Sequence, residues 1–317
     1  FSVITYFAIE KPLRFGKRFR RAKTVGLVAA MLAVGIFGYF VAEKKGLNAE
    51  KVIAGRTIDG GWSEWARKKY GLQNSWKEYG GEKPLAADSF FVDCNSEKTV
   101  ALVGDSHAQQ YFPAMARANR ENGVNTLLFA EPGAPMVLDG EQYLLRYHKN
   151  ADRRAHYRSD YRGIFDFLAN RQDVRKVFLS ITKLPANDIR YMQNTVDFLT
   201  AAGKEVYVLM DNPSFDFNPT DYLSRAPTGF LFPAKKMPVV PRAEIEKRMS
   251  AYLKIMAEIK GATLLESLDI FCPQGQNLWF DGNGDLLYFD SNHLSLAGGE
   301  YRVQKQLAKY LKFPAEE

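Results

Sequence analysis

Apolar positions along this chain come in blocks, and the blocks predict most of its architecture. Thr99 to Gly104 (TVALVG) is an unbroken apolar run too short for a helix, the mark of a strand buried on both faces. Comparable runs stand at Thr126 to Ala130, Lys176 to Ile181, Glu205 to Met210 and Thr263 to Leu268. Between them, apolar residues at helical spacing predict helices over His107 to Asn122, Tyr161 to Arg171, Asn187 to Ala202, Ala243 to Lys260 and Leu296 to Leu311. Alternation of this kind implies a mostly parallel sheet with helices on both faces, a three-layer α/β/α sandwich occupying residues 96–317. The segment holding Pro213, Pro219, Pro227, Pro233, Pro238 and Pro241 is too long for a plain connection and predicts a surface excursion.

The pattern changes towards the N-terminus. Residues 43–95 mix glycines with Trp62, Trp65, Tyr70 and Trp76, too aromatic for a free linker, and predict an extension packed on the domain. Thr24 to Ala42 carries no charge and would span roughly 28 Å as a helix, close to a bilayer's hydrocarbon core. A transmembrane helix is therefore expected over 24–42. A signal peptide fits less well, because Phe40-Val41-Ala42-Glu43 is a poor cleavage site. Residues 1–10 are apolar up to Ile9 and read as the end of a preceding membrane helix. With no Met before Phe1, the expectation is a longer protein.

Charge sharpens this picture. The net charge is +7, and Lys11, Arg14, Lys17, Arg18, Arg20, Arg21 and Lys23 supply all of it within one run beside the apolar stretch. A nucleic-acid module would spread such residues over a folded face, so that partner is excluded. By the positive-inside bias, residues 11–23 form a cytoplasmic loop, and everything after Ala42 lies in the periplasm of a bacterium's inner membrane. In that oxidising compartment Cys94 and Cys272 are expected to pair as a disulfide.

Two motifs carry chemistry. Gly104-Asp105-Ser106-His107 sits where the first buried strand ends and a helix begins, a place that presents a serine at the carboxyl edge of a sheet. Taken alone, its Ser or Asp serves equally well as a helix N-cap. Asp290-Ser291-Asn292-His293 precedes the last helix and puts an acid and an imidazole on one turn. Here too capping is the rival, with Asp290 or Ser291 as the cap. Together, at opposite ends of one α/β domain, the motifs predict Ser106 as nucleophile, His293 as base and Asp290 as the group that orients it. His107 adjoins the nucleophile with only Asp105 near it in sequence, and His148 and His156 lie in a polar loop. No cysteine–histidine cluster suggests zinc and no phosphate loop appears. Asp281-Gly282-Asn283-Gly284-Asp285 departs from a calcium loop at its sixth and twelfth positions and reads as a turn. No metal is expected.

These residues resemble a known family. Val103-Gly104-Asp105-Ser106-His107 is similar to the first block of the SGNH hydrolases, and Asp290-Ser291-Asn292-His293-Leu294-Ser295 to their D-x-x-H-L-S block. The resemblance implies a flavodoxin-like sandwich and a Ser–His–Asp mechanism. Tyr6-Phe7-Ala8-Ile9-Glu10-Lys11-Pro12-Leu13-Arg14 resembles the closing stretch of the integral-membrane acyltransferase-3 domain, some of whose members continue through one more membrane helix into a periplasmic SGNH domain. That implies an upstream acyltransferase-3 domain in the same polypeptide and acetyl-coenzyme A as the ultimate acyl donor. The SGNH domain itself would bind no cofactor. The implied acceptor is a sugar hydroxyl of a lipid-linked surface polysaccharide such as lipopolysaccharide O-antigen. Further oxyanion donors of the family are a glycine and an asparagine. Gly133 matches the first, while Asn187 is either the second or a helix cap, since no glycine stands two residues before it. A membrane-anchored carbohydrate esterase and a non-catalytic glycan-presenting module are the rival functions.

Overall fold

A computed structural model describes residues 11, 20–43, 51–53, 56–58, 85–86, 88–147, 159–182, 188–223 and 237–314. The chain divides into two compact units, Phe1–Lys51 and Val52–Glu317.

The first unit holds one long helix, α1 (Arg20–Glu43), whose described apolar side chains, among them Met31, Val34 and Phe37, are exposed. It starts four residues before the uncharged stretch, because Arg20 to Lys23 contains only good helix formers. Among the described residues no helix is long and apolar enough to cross a membrane. Not every side chain of Thr24 to Ala42 is described, and the expected membrane helix of residues 1–10 lies outside the described residues, as does most of the basic loop.

The second unit is built on a six-stranded sheet. Its strands are β1 (Asp88–Val92), β2 (Thr99–Gly104), β3 (Asn125–Ala130), β4 (Val174–Ser180), β5 (Glu205–Leu209) and β6 (Thr263–Leu265). Their order is β1-β3-β2-β4-β5-β6. All neighbours run parallel except β1, which pairs antiparallel with β3, Asp88 opposite Ala130. Every residue of β2 and β3 is buried, so both faces of the sheet centre are covered, as unbroken apolar runs require. The five parallel strands follow the sequence pattern, although β6 stops at Leu265 rather than Leu268, where a short helix begins. The edge strand β1 does not: it comes from the end of the predicted extension, although its Phe90, Phe91 and Val92 are buried in the core.

The principal helices are α2 (Ser106–Gln109), α3 (Phe112–Glu121), α4 (Gly140–Tyr147), α5 (Tyr161–Asn170), α6 (Ile189–Ala201), α7 (Arg242–Met256) and α8 (Leu296–Arg302). Helix α3 packs on β3 and on α8, while α5 packs on α6. The continuous helix expected over His107 to Asn122 is broken into α2 and α3. Pro113, which has no N–H to give an ongoing helix, stands in the first turn of α3. Helix α4 arises in the polar loop, where the sequence pattern gave no helix. The last helix contains a π-helical turn, Val303–Leu307, before it ends at Leu311.

The disulfide expectation is overturned. Cys94 and Cys272 are both free. Cys94 follows β1 at one edge of the sheet and Cys272 follows β6 at the other. At the usual strand spacing the edges stand roughly 24 Å apart, far beyond the reach of a bridge. Intact mass after alkylation in denaturant without reductant should show two modified thiols, and a species refractory to alkylation would contradict this.

At Gly104, β2 leaves no room for a side chain against its neighbour. A Cβ there would lie 1.8 Å from the Ser180 carbonyl oxygen of β4 and 2.9 Å from the Ala108 Cβ. Gly104→Ala should therefore lower stability in urea by about 3 kcal/mol, whereas Gly282→Ala, with nothing within 4 Å, should change it by less than about 0.5 kcal/mol.

Candidate active site

The strand order reverses beside β2: the chain leaves it for β3 on one side and returns to β4 on the other. Ligands bind at such crevices, beyond the carboxyl ends of parallel strands. A cavity of about 300 Å³ lies there, lined from β2 by Asp105, Ser106 and His107, from β3 by Gly133 to Pro135, and by Thr182 after β4. Tyr143, Asn292 and His293 complete the wall.

The turn carrying Ser106 is fixed by Asp105. This buried carboxylate accepts the His107 N–H at 2.8 Å through one oxygen and the Thr182 N–H at 2.7 Å through the other. Burial pushes the Asp105 pKa up, against the opposing pull of the charge on His107 and of these hydrogen bonds. Asp105 is thus the cap of α2, which leaves the Ser106 hydroxyl unused by the helix. Likewise the cap of α8 is Ser295, whose Oγ accepts the Gly298 N–H at 3.1 Å. The capping alternatives for Ser106, Asp290 and Ser291 are all removed.

The three predicted residues meet. Ser106 Oγ lies 2.8 Å from His293 Nε2, and His293 Nδ1 lies 2.8 Å from Asp290 Oδ2. The other oxygen of Asp290 accepts the backbone N–H groups of His293 at 2.7 Å and Asn292 at 2.9 Å. Burial raises the pKa of Asp290, but the hydrogen bonds from His293 and these two amides outweigh it and hold the carboxyl down to about 2. A carboxylate fixed on Nδ1 directs Nε2 at the serine, the arrangement needed to take a proton from the hydroxyl.

The loop bearing Asp290 and His293 is held from two sides. Gln110 Oε1, just beyond α2, accepts the Leu294 N–H at 2.8 Å, and the Phe215 N–H donates to the Ser291 carbonyl at 2.8 Å. Gly299 makes the first contact feasible, since a Cβ there would lie 2.4 Å from the Gln110 carbonyl oxygen. Gly133 lines the cavity beside Ser106 with φ +80°, a conformation glycine adopts without strain. Asn187 lies outside the described residues.

Sequence reasoning missed Asp211. It follows β5, and its Oδ1 lies 2.7 Å from His107 Nδ1. The ring of His107 in turn packs against that of His293, with centroids 4.7 Å apart. A signal was present: Asp211 stands at the carboxyl end of a buried strand, where the same rule that selects Ser106 applies.

The family follows from the match to a family model. Residues 72–305 match the SGNH domain described as fused to AT3 domains. The chain belongs to that family. No curated protein matches the sequence significantly. Among solved structures it is similar to the periplasmic domain of a lipopolysaccharide acetyltransferase from Salmonella ser. Paratyphi A. That match has 16% identity and a TM-score of 0.51, covering 69% of this chain and 85% of that one. It also matches TesA at 15% identity and a TM-score of 0.33, over 68% of this chain and all of that one. At such identities the first likeness speaks for the fold, an SGNH-hydrolase-like α/β fold with a mixed, mostly parallel sheet.

The low pKa of Asp290 has a consequence for stability. A carboxylate depressed from 3.8 to about 2 stabilises the folded state above the unfolded value, and that contribution disappears as pH falls through about 2. Asp290→Asn should therefore cost at most about 2 kcal/mol at neutral pH and flatten the loss of stability between about pH 4 and pH 2. Urea titrations at stepped pH would check both. Equal loss in the two proteins over that range would contradict the assignment.

Proposed function

We propose that this chain transfers an acyl group, most simply acetyl, to a sugar hydroxyl of a bacterial surface glycan such as lipopolysaccharide O-antigen. The observation that carries the reading is the Ser106–His293–Asp290 relay, with both of its hydrogen bonds at 2.8 Å, at the wall of a cavity beyond the sheet's carboxyl edge. Membership of a family fused to AT3 domains supports the choice of acyl chemistry.

His293 takes the proton of Ser106 as Oγ bonds to the acyl carbonyl carbon. The carbonyl electron pair moves onto oxygen, where the Ser106 N–H and a donor from the Gly133 loop receive it, with Asn187 as the further family candidate. Collapse of this adduct expels the donor, which leaves with the proton from His293, and an acyl-serine remains. A sugar hydroxyl then gives its proton to His293 and attacks the acyl carbon. Serine recovers its proton as it departs. Asp290 keeps Nδ1 protonated and balances the charge on the ring throughout.

In this reading α1 is the last of the membrane helices, and the domain after it stands in the periplasm of the inner membrane. An acyltransferase-3 domain earlier in the same polypeptide delivers the acyl group derived from acetyl-coenzyme A. The acceptor is a lipid-linked polysaccharide.

Ser106→Ala in the complete protein should abolish surface-glycan acetylation and labelling by a serine-reactive phosphonate. Asp290→Asn should lower the rate by about 10³ to 10⁴. Undiminished acetylation by the Ser106→Ala protein would sink the reading. Rapid ester hydrolysis with no transfer to any sugar would replace it with an esterase, and glycan binding without labelling would replace it with a presenting module.

A further inference from the structure

Helix α4 supplies nothing to the relay, yet it puts one side chain, Tyr143, into the wall of the same cavity. That wall has two characters. Thr182, Asn292 and His293 make one part polar, while Gly133, Ala134 and Pro135 offer small apolar groups and backbone. Among the described residues of the wall, Tyr143 alone carries a phenol ring, and it is half-buried. The ring is held from behind by α6. Leu138, just before α4, donates its N–H to Thr195 Oγ1 of α6 at 2.8 Å. At the other end of α4, Arg146 Nη1 lies 3.1 Å from Oδ1 of Asp188, a fully buried carboxylate immediately before α6. Between these ties the Tyr143 ring meets the ring of Tyr191 edge to face, with centroids 6.2 Å apart and planes at 89°. Gly140 lets the start of α4 settle against α5, since a Cβ there would lie 2.7 Å from the Tyr161 ring. A ring fixed in this way has its place before any ligand arrives, so a ligand that uses it orders little.

We infer that Tyr143 is the platform for the acceptor sugar, the residue that decides whether the acyl-serine passes its group to a pyranose or to water. The inference deepens the reading of Ser106 as acyl carrier and rests on it. An aromatic ring is negative on its faces and positive at its edge. The carbon-bound hydrogens on one face of a pyranose are apolar and weakly positive, and that face matches a phenol ring in width. Its hydroxyls leave from the rim, towards the polar part of the wall where Asn292 and His293 stand. An acetyl group has no comparable face, because a single methyl covers only a fraction of the ring. The cavity, at about 300 Å³, stands at the small end of ligand sites. It suits one sugar unit held at the reacting centre, with the other units of a polymer outside.

The last step of transfer is a contest between two hydroxyl groups for one carbon. Whichever attacks, a new bond forms from its oxygen to the acyl carbon and the bond to Ser106 Oγ breaks. The proton of the attacking group passes through His293 to the departing serine. Water reaches the acyl carbon from bulk solvent in large excess. A sugar seated on Tyr143 attacks as a bound and oriented partner, and its ring occupies the space through which water would come.

The test follows the fate of the acyl-serine in the full chain, with p-nitrophenyl acetate as donor. The acceptors are the methyl glycosides of glucose, galactose and rhamnose, with sorbitol as an acyclic polyol that lacks a ring face. The unaltered chain should acetylate at least one glycoside in preference to sorbitol. Tyr143→Ala should lower the ratio of acetylated glycoside to free acetate about tenfold, and Tyr143→Phe should keep it. Both products arise from one acyl-serine, so a packing defect that slows Ser106 lowers both and leaves the ratio unmoved. An unmoved ratio in Tyr143→Ala overturns the inference, as does an equal loss in Tyr143→Phe or the absence of any preference over sorbitol. Should Tyr143→Ala fail to fold, saturation-transfer NMR on the Ser106→Ala chain decides the matter. Irradiating the aromatic protons of the protein should saturate the ring C–H protons of a glycoside more than those of sorbitol, and equal saturation overturns the inference. Release of p-nitrophenol that is the same in the Ser106→Ala chain is a different outcome: it removes the acyl-serine itself, and the inference falls with it.

Discussion

One buried carboxylate holds the site in place. Asp105 ties the amide of His107 on one side and that of Thr182 on the other, so the ends of β2 and β4 are joined through a single side chain. Because Asp105 satisfies the helix end, Ser106 has no structural duty and its hydroxyl is left to His293. Gly104 allows the same turn to press against the Ser180 carbonyl without a Cβ between them. Any looser closure of these two strands would move Ser106 relative to His293, which arrives from a distant part of the chain.

Much of this was legible in the sequence, and the legible parts share a cause. Strands buried on both faces announce themselves as apolar runs, as β2 and β3 do, whereas β6 is exposed at Thr263 and shorter than the run that predicted it. Ser106, Asp290 and His293 were readable because each sits in a short local motif. What escaped depends on contacts between distant segments. The edge strand β1 offers only Phe90 to Val92 as a run, too short to stand out in the sequence although all three are buried. Asp211 has no local partner at all, and becomes part of the site only when β5 lies two strands from β2. The break between α2 and α3 was visible in Pro113, but the helical spacing on either side of it masked the signal. The disulfide failed for a related reason: compartment and cysteine number say nothing about which edges of a sheet the thiols occupy.

The site also shows how one histidine can differ from another in the same cavity. His293 is held by an acid on its Nδ1 edge and directs its other nitrogen at a hydroxyl. His107 has an acid on the same edge but no hydroxyl, and its ring face lies against its neighbour. The two environments differ in burial and in what each second nitrogen faces.

The final helix is fastened by Arg302, a fully buried cation. It donates to the carbonyls of Met210 at 2.9 Å and Leu265 at 2.7 Å, to Asn212, and to the hydroxyl of Tyr111 beyond the nucleophile turn. The guanidinium therefore stitches the last helix to the ends of β5 and β6 and to the segment after Ser106. Nearly the whole domain separates the serine from its base in sequence, and this clasp lies later still. A chain emerging from the ribosome carries Ser106 long before it carries His293 and Arg302. The Ser106–His293 pair can therefore come together only once the last helix has docked.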